Sequence, residues 1–182
     1  MKPFKRFFVP TVLAATLLFV NSHLAQALQV GEKAPDFELD STAGGKLKLS
    51  SLKGKNVLIS VYVLDYSPTC IKQLMSAGSD DNYKKFTAEN TEVLGMSANA
   101  IFSQKAFVDF AKIKNPLLSD RDGKVMKAFG VWDEERRLAK RSYVLIDKEG
   151  VVRFINTRPT NTEKDLLSTE ALLDEVKKIN KN

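Results

Sequence analysis

The sequence predicts an α/β fold with a mixed central sheet flanked by helices, and three observations carry that expectation. Val57 to Val63 is an almost unbroken apolar, β-branched run, the pattern of a strand buried on both faces of a sheet. Strand-like and helix-like patterns then alternate to the end of the chain. Asp147-Lys148-Glu149-Gly150, set between two apolar runs, is a hairpin signal, so one strand pair at least is antiparallel.

The elements follow in order. Phe37-Glu38-Leu39 and Leu47-Lys48-Leu49 flank Ala43-Gly44-Gly45 and predict an entry hairpin. The strand from Val57 to Val63 comes next. Pro68 to about Asn90 reads as helical, interrupted near Gly78-Ser79-Asp80, and Val93 to Met96 as a second buried strand. A helix is expected over Ser103 to Ala111 with Ala106, Phe107 and Phe110 inward, broken by Asn115-Pro116. Asp120-Arg121-Asp122-Gly123 is a turn, and Val125 to Phe129 a short helix ended by Gly130. Ser142 to Ile146 and Val151 to Ile155 form the closing hairpin, and Thr169 to Ile179 the last amphipathic helix.

The 182 residues are 43% apolar and 27% charged, the composition of one ordinary globular domain. A domain of this size buries roughly 70% of its unfolded surface and folds without disulfides or metals. The net charge of +6 includes Lys2, Lys5 and Arg6, which lie in an N-terminal stretch free of acids. The mild basic excess that remains is spread along the chain and does not argue for nucleic acid.

That N-terminal stretch fits a secretory signal peptide over residues 1–27. A basic opening leads into an apolar run of 14 residues, Phe7 to Val20, and then a small-x-small site, Ala25-Gln26-Ala27. The run contains Pro10 and is too short to span a bilayer comfortably, although left uncleaved it would act as an anchor. Either way the working domain, residues 28–182, is expected outside the cytoplasm, periplasmic or secreted. The single histidine, His23, falls in the segment expected to be removed. The remaining domain has no imidazole, which excludes Cys-His and Ser-His nucleophile pairs and histidine-based zinc or copper sites.

One cysteine remains as the candidate nucleophile. Tyr66-Ser67-Pro68-Thr69-Cys70 follows the most apolar strand and opens a helix. A thiol in a first helical turn faces unpaired backbone N–H groups and the positive end of the helix dipole, which favour its thiolate. Pro68 suits the first helical position, where its missing N–H costs nothing. Ser67, three residues before Cys70, can bring its hydroxyl near the sulfur or a bound oxygen. The plain alternative is a buried structural cysteine.

Ordered blocks extend beyond this site. Gly31-x-x-Ala34-Pro35-Asp36-Phe37, Leu49-Ser50-x-Leu52-Lys53-Gly54-Lys55 and Ser67-x-x-Cys70 are followed by Pro116-Leu117-Leu118-Ser119-Asp120 and Ala128-Phe129-Gly130-Val131. The run from Arg141 through Tyr143-Val144-Leu145-Ile146-Asp147 to Gly150 completes the set. In this order they resemble a peroxiredoxin from about Val30 to Phe154. The chain is most similar to the one-cysteine alkyl hydroperoxide reductase E group and the neighbouring bacterioferritin comigratory protein group.

The resemblance implies a thioredoxin-like fold and a thiol peroxidase that needs neither cofactor nor metal. It assigns Cys70 as the peroxidatic cysteine, Ser67 as its hydroxyl partner and Arg141 as its arginine. The family's proline position is held by Val63. A guanidinium beside the sulfur can donate to both peroxide oxygens in a fixed fork, and the product is a Cys70 sulfenic acid. Relatives carry a second cysteine where Met75 stands here, or in the helix containing Phe107, Val108 and Phe110. With neither present, the resemblance implies a peroxide substrate and an external thiol reductant, a small thiol or a redoxin protein. It also makes a homodimer the assembly to test. Gln73, Trp132 and Tyr143 are further candidates for the pocket wall, with core packing the expected role of the two aromatics.

A dithiol oxidoreductase is disfavoured because Ser67 occupies the first position of the Cys-x-x-Cys it would need. The rival from another class is a thioredoxin-fold binding or scaffold module that keeps Cys70 as a remnant, a reading that Val63 favours.

Overall fold

The computed structural model describes residues 28–160 and 162–181. The expected signal peptide, residues 1–27, lies outside them. Among the described residues no helix is long and apolar enough to cross a membrane.

Among the described residues nine strands and five α-helices form in the order β1 (Glu38–Ser41), β2 (Lys46–Lys48), β3 (Asn56–Val61), α1 (Pro68–Gly78), α2 (Asp80–Ala88), β4 (Thr91–Ser97), α3 (Ile101–Ala111), β5 (Leu117–Ser119), α4 (Lys124–Ala128), β6 (Trp132–Asp133), β7 (Leu138–Ala139), β8 (Ser142–Ile146), β9 (Val152–Thr157) and α5 (Thr169–Asn180). Seven strands make the main sheet in the order β2-β1-β5-β4-β3-β8-β9. The β3–β4 and β4–β5 pairs are parallel, whereas β8 runs antiparallel to both β3 and β9. The expected α/β class with a mixed sheet is therefore correct. A hairpin closes each end of the sheet, β1–β2 on one side and β8–β9 on the other.

Period-two alternation sorts β3 between two cores. Val57, Ile59 and Val61 join Leu94, Met96, Val144 and Ile146, capped by Phe37, Met126, Phe129 and Trp132. Leu58, on the other face, packs with Val93, Tyr143 and Leu145 against Phe86 of α2 and Leu172 and Val176 of α5. Tyr62, just beyond β3, packs with Cys70, Leu74, Phe107 and Leu117. At Gly95 a Cβ would stand 2.3 Å from Leu117 Cδ2 and 3.0 Å from Leu74 Cδ2, so only glycine lets α1 approach β4 this closely.

Four details differ from the expectation. The strand ends at Val61, although Tyr62 still donates its N–H to the Met96 carbonyl at 2.9 Å. Helix α3 starts two residues early, and it buries Gln104 and Phe107 while Phe110 is 64% exposed and Ala106 is also exposed. Residues 106 and 110 are one turn apart and share the outer face, where Phe110 rests on Tyr66 with ring centroids 5.3 Å apart. The three-residue β5 and the two-residue β6–β7 pair escape sequence reading because no period can be recognised over so few residues.

Candidate active site

Helix α1 begins at Pro68 with Ser67 as its N-cap, so Cys70 is the third helical residue and sits in the first turn. The N–H groups of Thr69 and Cys70 belong to the opening turn, which has no intrahelical acceptors for them. Cys70 is fully buried, within the cluster of Tyr62, Leu74 and Phe107. Ser67 accepts the N–H of Ile71 on its carbonyl at 2.9 Å. Its side chain makes no capping bond, and among the described residues its hydroxyl has no hydrogen-bond partner. The structure thus places Ser67 at the entrance to the Cys70 turn without joining it to the sulfur.

Arg141 reaches Cys70 from the opposite side. It stands immediately before β8, which pairs with β3 through Val61↔Ser142, so the sheet delivers it to the end of β3 from which α1 departs. Its Nη2 donates to Cys70 Sγ at 3.4 Å, and the side chain is only 2% exposed. Among the described residues no carboxylate lies within ion-pairing distance of this guanidinium. Its Nη1 donates instead to Gln73 Oε1. Gln73, one turn after Cys70 on α1, is fully buried and donates Nε2 to the carbonyls of Val61 at 3.1 Å and Ser142 at 3.4 Å. A neutral amide therefore orients the guanidinium and leaves its charge to the sulfur.

A second polar group anchors the loop ahead of Cys70. Asp65 accepts the Tyr62 hydroxyl at 2.8 Å and the Ser103 hydroxyl at 2.6 Å, which ties the loop to α3. Burial pushes the Asp65 carboxyl above its usual range, against the pull of the two hydroxyls. Burial, then the charge of Asp65, holds the Tyr62 phenol well above its own range, so it is a neutral donor. Tyr66 adopts φ +60° and packs on Phe107 at 5.2 Å, which turns the chain into α1.

Beside Arg141 lies a cavity of about 470 Å³ whose wall includes Val63, Lys140, Arg141 and Arg158. Val63 also packs against the Cys70 cluster. Of the three additional candidates only Gln73 belongs to the site. Tyr143 fills the α2–α5 core and accepts the Leu167 N–H at 3.3 Å, and Trp132 fills the core on the other face.

The AhpC/TSA family matches residues 30–155, which include all of this geometry up to β9. The chain belongs to the AhpC/TSA family, the peroxiredoxins. Curated relatives agree with that membership. A chloroplastic peroxiredoxin Q of Sedum lineare is 36% identical over 158 residues, covering 86% of this chain and 83% of the relative. A putative peroxiredoxin bcp of Coxiella burnetii is 33% identical over 135 residues, covering 71% and 88%. Among solved structures, a reduced 2-Cys peroxiredoxin of Plasmodium vivax superposes with a TM-score of 0.74 at 26% identity, covering 84% of this chain and 96% of that one. Enterococcus faecalis AhpC superposes at 0.76 with 24% identity, covering 84% and 93%, and attests the fold. The thioredoxin-like expectation is correct, and as a peroxiredoxin the chain is a thiol-dependent peroxidase.

Proposed function

We propose that this peroxiredoxin works through one cysteine, Cys70, and returns to its reduced state at the expense of an external thiol. The contact between Arg141 Nη2 and Cys70 Sγ carries the reading, together with the absence of any second cysteine from the 182 residues. The guanidinium stabilises negative charge on the sulfur, and its fork can hold both oxygens of a peroxide in line with the attack. The thiolate sulfur attacks one oxygen, the O–O bond breaks, and the other oxygen leaves with the bonding pair as an alkoxide or hydroxide that takes up a proton. Cys70 becomes a sulfenic acid. The Ser67 hydroxyl, which has no partner among the described residues, is placed to donate to the peroxide.

No internal thiol can resolve that sulfenic acid. An external thiol condenses with it, forming a mixed disulfide and releasing water, and a second thiol releases Cys70 as thiol and leaves as half of an external disulfide. The same reading takes residues 1–27 as an export signal. The expected outcome in a bacterial host is periplasmic protein whose mass shows loss of those 27 residues.

The decisive test mixes the purified chain with hydrogen peroxide and follows Cys70 by mass spectrometry or a sulfenate probe. Oxidation orders of magnitude faster than that of a free thiol is expected. A rate no faster would leave Cys70 as the remnant of a thioredoxin-fold binding module.

A further inference from the structure

Hydrogen peroxide is far smaller than the cavity beside Arg141, whose volume of about 470 Å³ lies in the range of organic-ligand pockets. The wall is also strongly one-signed. Arg136, Lys140, Arg141 and Arg158 line it against a single carboxylate, Asp133. Asp133, half-buried, stands 3.9 Å from the exposed Arg136. Lys140 has no ion-pair partner among the described residues.

Arg158 is held in this wall by the backbone. Ser142 pairs with Thr157, and the next residues outward are joined by the Arg158 N–H donating to the Arg141 carbonyl at 2.8 Å. Two arginines therefore stand opposite one another at the end of the sheet, and both line the cavity. Arg158 is tied at its Nη atoms, to Asn156 Oδ1 and to Asp165 Oδ1 at a loose 3.9 Å, with its side chain 18% exposed. Its Nε is buried without a partner, and so is the Nε of Arg141. Those two atoms are closed off from the cavity, and what faces an incoming acceptor is the charge of the wall: Arg158 is offset only by the loose Asp165 contact, and Lys140 beside it is unpaired among the described residues.

We infer that Arg158, with Lys140 and Arg136 at the rim, forms an anion subsite beside the Cys70–Arg141 centre that takes the carboxylate of a small organic reactant. The inference rests on the peroxidase reading and deepens it. The carboxylate has two sources, the hydroperoxide that oxidises Cys70 or the thiol that reduces its sulfenic acid. Both arrive at the same sulfur, and both carry reacting atoms at one end and an anchor at the other.

The test compares wild type with Arg158→Gln and Arg158→Lys. Cys70 oxidation is measured with cumene hydroperoxide and with a carboxylate-bearing analogue of it. Sulfenic acid reduction is measured with 2-mercaptoethanol and with mercaptopropionate. The expected result is a fall of about tenfold in the anionic-to-neutral rate ratio in Arg158→Gln, partly restored in Arg158→Lys. Loss in the oxidation arm assigns the subsite to the hydroperoxide, and loss in the reduction arm to the thiol. A purely structural Arg158 lowers anionic and neutral rates together, and unchanged ratios in both arms overturn the inference. A binding arm needs no turnover: benzoate titrated into Cys70→Ser protein is expected to shift the Arg158 Nε–H resonance. If peroxide fails to oxidise wild type rapidly but benzoate still shifts that signal, the peroxidase reading falls and the anion subsite stands. No benzoate shift and no change in ratios reject the subsite alone.

Discussion

Gln73 accepts a hydrogen bond from the Arg141 guanidinium while donating to the carbonyls of Val61 and Ser142. One amide thus joins the helix that carries Cys70 to the ends of β3 and β8 and sets the direction in which Arg141 points. Replacing it by leucine leaves a buried guanidinium and two carbonyls short of partners. Gln73→Leu is expected to lose on the order of 1–3 kcal/mol of stability. Its peroxide rate should fall about tenfold through misplacement of Arg141, by analogy with other loosened sites. Denaturant titration and stopped-flow oxidation check the two outcomes.

In the proposed mechanism Arg141 supplies both charge and fork. Arg141→Ala is expected to slow the reaction of Cys70 with hydrogen peroxide by about two orders of magnitude, the usual loss on removing a transition-state donor. Arg141→Lys keeps the charge without the planar pair of N–H groups and should recover little of that loss. Competition against a reference thiol measures both.

Ser67 separates function from stability. An N-cap serine usually contributes about 1 kcal/mol through its side-chain bond, but Ser67 makes none. Ser67→Ala should therefore leave the denaturation midpoint nearly unchanged while lowering the peroxide rate. A stability loss without a rate loss would remove the hydroxyl from the mechanism.

Two carboxylates should respond to pH in opposite senses. Burial raises the Asp65 carboxyl above its unfolded value, so its ionised form is penalised in the folded state at neutral pH. That penalty is relieved as pH falls through the folded value towards the unfolded one. Asp65→Asn should accordingly be at least as stable as wild type at pH 7, with the advantage shrinking near pH 4. Urea titrations at the two pH values decide it.

At Asp147 burial also pushes upward, but the Val151 N–H at 2.8 Å and the Arg153 Nε at 2.6 Å outweigh it and hold the carboxyl below its ordinary value. Its contribution is present above the unfolded value and disappears as pH falls through the lower folded one. Asp147→Ala should cost about 1–3 kcal/mol at pH 7, because the N–H groups at the β8–β9 turn lose their acceptor. The cost should shrink as pH falls and the carboxyl protonates, which urea titrations across that range measure.

Much of this was legible in sequence because the relevant signals are local. Pro68 at a helix start, an apolar strand just before it and a lone cysteine in the first turn are read within a dozen residues. The hairpin at Asp147 to Gly150 was equally plain. Arg141, by contrast, depended on a family resemblance: in isolation it is one charge among Arg136, Arg137 and Lys140.

Arg158 was not legible at all, and the reason is register. Ile146 pairs with Val152 but Leu145 with Phe154, so a bulge between them shifts every later partner by one residue. Counting straight back from the turn would set Thr157, not Arg158, opposite Arg141. The outward face of α3 was hidden for a related reason, since Phe107 and Phe110 are three residues apart and only packing against the sheet decides which is buried. The sequence by itself determined the α/β class and a cysteine poised at a helix start, because those rest on short-range periodicity and capping. Only the tertiary structure decided that Gln73 aims Arg141 at Cys70 and that Arg158 stands opposite Arg141, because both relations depend on a register that only the assembled sheet defines.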